Sequence, residues 1–281
     1  GAIANAPKAD GIFGWGSGAL GWSKGSDEDV ATHLDGDQRF GVVGLGYAAS
    51  NWTLGLGVGL GDSSYEALGE ADVSTTFFTA NAGYMNNGLE FMAGGSLSDS
   101  SVDVNRAAEL RNLSATLTSG YDTNARNLFV NLGYALDGGA FLAKPFIGAS
   151  NISFESDSIA ETGGATALSG GSSDRDLTFA RLGLSLMPSS NTDFADSGWT
   201  PSLTVAYRYA DGDRRDANSF NFAGGTQAFN VVSSELAKNA VEVDLGIGWS
   251  MDSWSIGAGY SGVFGNGAQT QNVGFDVSKN F

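Results

Sequence analysis

The chain has 281 residues, enough for one large all-β domain or two small ones, and its net charge of −17 excludes nucleic acid as a partner because phosphate would be repelled. It has no cysteine, which rules out a disulfide scaffold and cysteine-based metal sites. Its 42 glycines against 4 prolines would signal low complexity, except that the glycines fall at alternate positions inside aromatic and β-branched runs.

Residues Gly1–Asp10 are small and polar, with Pro7, and read as a linker. Gly11–Ser23 sets Phe13, Trp15, Leu20 and Trp22 among glycines and forms the first strand; its parity slips between Trp15 and Leu20, which predicts a bulge. Ser26–Asp37 is acidic and reads as a loop. Arg39–Ala48 is the second strand, with Val43, Leu45 and Tyr47 outward, followed by a tight turn at Ala49–Asn51. The third strand is the cleanest: Trp52, Leu54, Leu56, Val58 and Leu60 alternate with Thr53, Gly55, Gly57, Gly59 and Gly61. Asp62–Ala71 reads as a second acidic loop. Val73–Tyr84 and Leu89–Ser98 flank a turn at Met85–Gly88, with Leu89, Phe91, Ala93 and Leu97 on one side. Asp99–Ser119 reads as a long polar connection, in part strand.

In Tyr121–Leu136, Leu128, Val130, Leu132 and Tyr134 oppose Asn127, Phe129, Asn131 and Gly133. Asp137–Ala140 turns the chain into Phe141–Glu155, where Pro145 belongs near a strand end or bulge. Ser156–Ser172 reads as a loop. Ser173–Met187 alternates Leu182, Leu184 and Leu186 with Arg181, Gly183 and Ser185, and Pro188–Gly198 is a long turn. Trp199–Ala210 places Leu203, Val205, Tyr207 and Tyr209 opposite Ser202, Thr204, Ala206 and Arg208, before a charged loop, Asp211–Ala228. Phe229–Trp249 resumes with Val241, Val243, Leu245 and Ile247 opposite Glu242, Asp244, Gly246 and Gly248. After Met251–Ser253, Trp254, Ile256, Ala258 and Tyr260 open a terminal hairpin whose last strand carries Val273, Phe275, Val277 and Phe281.

These runs amount to about twelve antiparallel strands of membrane-crossing length. No apolar run approaches the ~18 residues a spanning helix needs, so a membrane reading leaves only a closed all-β barrel. No secretory leader heads the sequence, so the expectation is a chain that starts after processing or as an excised domain. Long and short connections alternate, as in outer-membrane barrels with long outer loops and short periplasmic turns; Pro188–Gly198 is the exception. An even strand count puts both chain ends on the periplasmic side. Trp52, Tyr84, Tyr134, Trp249 and Trp254 fall where an interfacial girdle is wanted. Lipid, not a second sheet, is expected over the apolar face, because only 16% of the chain is Asp, Glu, Lys or Arg and the opposite face is too glycine-rich for a soluble surface. Twelve strands about 4.8 Å apart, tilted about 40°, close at a diameter of about 24 Å and leave a bore of about 10–14 Å, near the width of one helix.

Gly120–Asn127 (GYDTNARN), Gly133–Ser150 (GYALDGGAFLAKPFIGAS), Glu161–Gly170 (ETGGATALSG), Phe179–Leu186 (FARLGLSL) and Gly259–Ala268 (GYSGVFGNGA) together resemble the β-domain of monomeric autotransporters. The resemblance runs from about Gly11 to Phe281. It implies a twelve-stranded outer-membrane translocator barrel for an N-terminal passenger, carried through or beside the pore (type V secretion). Residues 1–10 would then end a pore-filling segment and 11–281 would form the barrel. The resemblance also implies that the terminal strand (Val273, Phe275, Val277, Phe281) is the signal read by the barrel assembly machinery, although Lys279 stands where an apolar residue is usual. The implied partners are the chain's own passenger or linker, that machinery, and lipid with lipopolysaccharide; a monomer without cofactor is expected.

Catalysis has little to build on. A hydrolytic triad would have to use His33, the single histidine, and no nucleophile elbow or oxyanion loop accompanies it. Gly61-Asp62-Ser63 reads as turn chemistry. Asp27, Glu28, Asp29, Asp35 and Asp37 lack the spacing of a calcium loop. Glu90, Asn127, Asn131, Arg181, Arg208, Glu242 and Asp244 are the pore-lining candidates. Their charges read as a paired network that keeps a wet bore open, against contact with, or cleavage of, a linker whose one asparagine is Asn5. The rival functions are a passenger-less porin or structural barrel, and a soluble β-sandwich or adhesin.

Overall fold

The computed structural model describes residues 10–281 apart from 28–29, 68, 111–112, 190–196, 224, 226 and 234. Its strands are β1 (Gly11–Asp27), β2 (Val30–Ala49), β3 (Trp52–Glu66), β4 (Glu70–Asn86), β5 (Leu89–Leu110), β6 (Leu113–Tyr134), β7 (Leu136–Asp137), β8 (Phe141–Ser156), β9 (Ile159–Ala160), β10 (Leu168–Gly170), β11 (Ser173–Pro188), β12 (Trp199–Gly212), β13 (Ala217–Phe222), β14 (Ala228–Val232), β15 (Asn239–Met251), β16 (Trp254–Gly265) and β17 (Ala268–Asn280). Twelve of them close an antiparallel barrel: β1 to β6, then β8, β11, β12, β15, β16 and β17, which pairs back onto β1. Followed once around, the pairing that starts at Trp52 returns to β3 at Glu66, fourteen residues on. That shear on twelve strands corresponds to a tilt of about 40° and a diameter of about 24 Å.

Apart from Phe13 and Trp15 on β1, the apolar sets point away from the axis. Leu56 is 67% exposed and Leu60 66%, and Val43, Leu45, Leu128, Leu182 and Phe275 share that face. An open display of this size has no place in water; in a bilayer it is the required surface. Two-residue turns join strands at the end where Gly11 and Phe281 lie. Asn87-Gly88 takes positive φ at both positions, the geometry that matches the twist of a hairpin. At that same end Trp52 packs at a tilt against Tyr84 with centroids 4.8 Å apart, Trp199 against Trp249 at 6.2 Å, and Tyr134 and Trp254 complete the belt. Trp22, Tyr207 and Phe264 mark the opposite rim on the outer face.

Beyond that rim the segments read as polar loops are strands. β5 and β6 stay in register from Leu89↔Tyr134 to Leu110↔Leu113, so Asp99–Ser119 is a tall hairpin. Asp62–Glu66 and Glu70–Ala71 are ladder, and most of Ser26–Asp37 lies in β1 and β2. Ladder hydrogen bonds propagate there without an apolar face, so hydrophobic alternation does not mark these strands. Ser156–Ser172 and Asp211–Ala228 contribute β9, β10 and β13, which join β14 in a separate four-stranded sheet; Phe229–Trp249 is therefore two strands, not one. The bulge expected between Trp15 and Leu20 is absent: β1 pairs without a shift from Phe13 to Gly25. The parity slip arises because Phe13 and Trp15 point into the bore while Leu20 and Trp22 point out. Residues 1–9, with the linker and Asn5, lie outside the described residues, as do Glu28, Asp29 and the side chain of His33.

Candidate functional site: the bore

The bore has two dissimilar walls. On β1 to β6, aromatic rings lie over glycines of the neighbouring strand. A Cβ on Gly46 would collide with the Phe13 ring, one on Gly44 with Trp15, and one on Gly59 with Phe77; one on Gly94 would sit 2.8 Å from Phe129. Phe13 is 1% exposed, so these glycines are beds for rings, not simply gaps that widen a channel.

On β8 to β15 the wall is charged. Arg181 reaches Glu242 at 2.5 Å and Arg208 reaches it at 3.6 Å, with Asp244 within electrostatic range. Glu242 is 7% exposed, a burial that an unpaired carboxylate would not sustain. The guanidinium of Arg181 lies 5.7 Å from the centre of the Phe146 ring and that of Arg208 5.0 Å from Phe179. Glu90 stands apart from this group. Its partner is Lys144 on β8, at 2.5 Å, whose inward place the sequence hides because it sits beside Pro145 near a turn. Asn127 and Asn131 face inward between the two walls; Asn131 occupies the space left by Gly148. Asn81 Oδ1, Asn127 Oδ1 and Arg181 Nε are buried without a hydrogen-bond partner, and Arg208 Nε makes only its 3.6 Å ion pair with Glu242. A cavity of about 500 Å³ runs along this face, lined by Ser17, Lys144, Ser185, Thr204 and Asp244 among others.

The terminal strand closes the barrel. Val273, Phe275 and Val277 point outward on β17, and Phe281 follows it, 77% exposed. A Cβ on Gly18 of β1 would lie 3.0 Å from the Phe275 ring, and one on Gly14 3.3 Å from Phe281, so both rings rest on β1. Lys279 also points outward. Its ammonium lies 5.0 Å from the Trp254 ring and 5.4 Å from Phe281, a position at the membrane edge where a lysine stem covers apolar surface and its head stays wet.

Outside the barrel, one ion pair fastens an insert. Arg106 on β5 binds Glu161 through two bonds of 3.0 and 2.6 Å, and Leu168 N–H donates to the same carboxylate at 2.8 Å. Burial alone would raise the Glu161 carboxyl, but the Arg106 and Leu168 bonds outweigh it and hold it below the usual range. Beneath this fastening Leu117 is fully buried. Among the described residues no group of His, Cys, Asp and Glu has the geometry of a metal site.

Residues 14–261 match the family described as "Autotransporter beta-domain". An extracellular serine protease of Serratia marcescens is 24% identical over 280 residues, covering 98% of this chain and 26% of that protein, so the chain spans about a quarter of that relative's length. The translocator domain of autotransporter NalP from Neisseria meningitidis superposes with a TM-score of 0.79 at 13% identity, over 99% of this chain and 91% of that one. The β-domain of the Bordetella autotransporter BrkA gives 0.66 at 15% identity, over 97% and 100%.

Proposed function

The chain belongs to the autotransporter β-domain family, and from that premise we propose that it inserts in the bacterial outer membrane and brings its own N-terminal passenger to the cell surface through its bore. The observation that carries this reading is the family match on a closed barrel, apolar outside and polar inside. Residues 11–281 are the translocator, and residues 1–10 end the segment that occupies the bore. Both chain ends lie in the periplasm, with the tall β5–β6 hairpin and the four-stranded sheet outside the cell; the asymmetry between two-residue turns and long hairpins supports that orientation.

Glu90, Asn127, Asn131, Arg181, Arg208, Glu242 and Asp244 line the passenger's path. They act by solvating a polar segment and by keeping the wall charge balanced, not by chemistry on it. The domain is not an enzyme: its charged groups are engaged with each other, and vectorial folding of the passenger outside supplies the drive. Val273, Phe275, Val277 and Phe281 are read by the barrel assembly machinery before the seam forms; afterwards lipid and lipopolysaccharide surround a monomer. A reporter domain fused ahead of Gly1 tests the reading. It should become accessible to protease added to intact cells, and deletion of Phe281 should abolish that. A reporter that stays in the periplasm behind a correctly folded barrel would contradict it.

A further inference from the structure

The barrel's ends meet between β1 and β17, the one barrel pairing that brings together strands from opposite ends of the chain. Every other junction of barrel strands is held near by a connecting loop; this one must recover the full closure entropy of the ring. Its inner face carries an unusual row. Pairing aligns Ser261 (β16), Asn272 (β17), Gly21 (β1), Gln38 (β2) and Ser63 (β3) across five strands. Gln38 Nε2 donates to Asn272 Oδ1 at 2.9 Å, and Asn272 Nδ2 donates to Ser261 Oγ at 3.5 Å. The first bond joins β2 directly to β17, passing over β1. It can do so because Gly21 has no side chain: a Cβ there would collide with Asn272 Oδ1 and come within 2.7 Å of Gln38 Nε2.

We propose that Gln38, Asn272 and Ser261 form a latch that holds the first and last strands together, and that Gly21 is bare so that the latch can cross it. A backbone ladder alone opens by fraying one pair at a time. Here separation of β17 from β1 also stretches a bond anchored on the far side of β1, so the seam and the β1–β2 pairing resist as a unit. The bond is partly buried on the bore face, where competition from water is reduced. The outer face grips the same seam with Phe275 over Gly18 and Phe281 over Gly14, so apolar contact outside and amide pairing inside act on one junction. Neither Gln nor Asn titrates, so the latch is indifferent to pH. The role needs no passenger, and it stands or falls apart from the export reading.

Amide hydrogen exchange on the folded barrel in a lipid nanodisc tests it. Gln38→Ala and Asn272→Ala should each speed exchange along the β1–β17 ladder about tenfold and leave the β4–β5 ladder unchanged. The double variant should exchange no faster than Asn272→Ala alone, because the one latch bond that Gln38→Ala removes is already lost with Asn272. Gly21→Val should give the same local effect by forcing the two amides apart. If Gly21→Val blocks assembly, the two alanine variants, which only remove atoms, still decide. Unchanged exchange at the seam, equal acceleration at β4–β5, or additive single effects would overturn the proposal.

Discussion

The two walls of the bore solve one problem by opposite means. Both must present an interior to a barrel whose aliphatic side chains are largely committed to lipid. The β1–β6 wall fills volume: Phe13, Trp15, Phe77 and Phe129 lie flat on glycines and gain dispersion contact without a polar partner. The β8–β15 wall balances charge: two arginines converge on Glu242, each beside a phenylalanine. Packing tolerates loss of one atom contact at a time, whereas a charge network fails when one member goes. The difference therefore predicts which wall is brittle.

The largest effect is expected from Glu242→Ala, which leaves Arg181 and Arg208 beside each other with Asp244 as the anion in range and should cost about 3 kcal/mol in urea unfolding of the detergent-solubilised barrel. Arg208→Met in the same background should recover part of that loss; no recovery would mean the wall is not a charge network. Next comes Gly46→Val, which drives the Phe13 ring off its bed and should cost about 1–3 kcal/mol, with partial rescue by Phe13→Leu. A neutral Gly46→Val would show that the ring has somewhere else to go and that this wall is loosely filled. The smallest effect lies outside the membrane and asks whether charge pairing fails locally. The Glu161 carboxyl is lowered from its ordinary 4.5, so its contribution is present above that value and is lost as pH falls through the lowered one. Protease cleavage within residues 157–172 should rise at pH 3 relative to pH 7 while the barrel strands stay protected, and Glu161→Gln should be cleaved at both.

Much of this was legible in the sequence where one physical rule acted alone. Trp52 to Leu60 alternate because each outward position meets lipid, and the apolar faces of β6, β11, β12 and β16 read the same way. The rule stops at the membrane edge: Asp62, Asp99 and Asp122 point outward into water from strands that continue regardless, so they resembled loops. Phe13 and Trp15 misled for the converse reason, since their bulk is inward and its compensation, at Gly44 and Gly46, lies on another strand. Inward parity could be read for Glu90, Arg181, Arg208, Glu242 and Asp244, but their pairing could not, because it depends on which strands adjoin. Glu90 meets Lys144 across β6, and Arg181 meets Glu242 across β12. The latch at Gln38 and Asn272 was equally hidden, since only closure brings residues 234 positions apart within hydrogen-bonding reach.

Everything above requires that Leu56, Leu182 and Leu245 meet hydrocarbon while Ser96, Ser185 and Ser202 face the bore. Nitroxide labels placed singly at these six positions, on the barrel reconstituted in bilayers, test this directly. Relaxation by dissolved oxygen should dominate at the three leucine positions and relaxation by a water-soluble nickel chelate at the three serines. A chelate that reaches the leucine positions as readily as the serines would contradict the account.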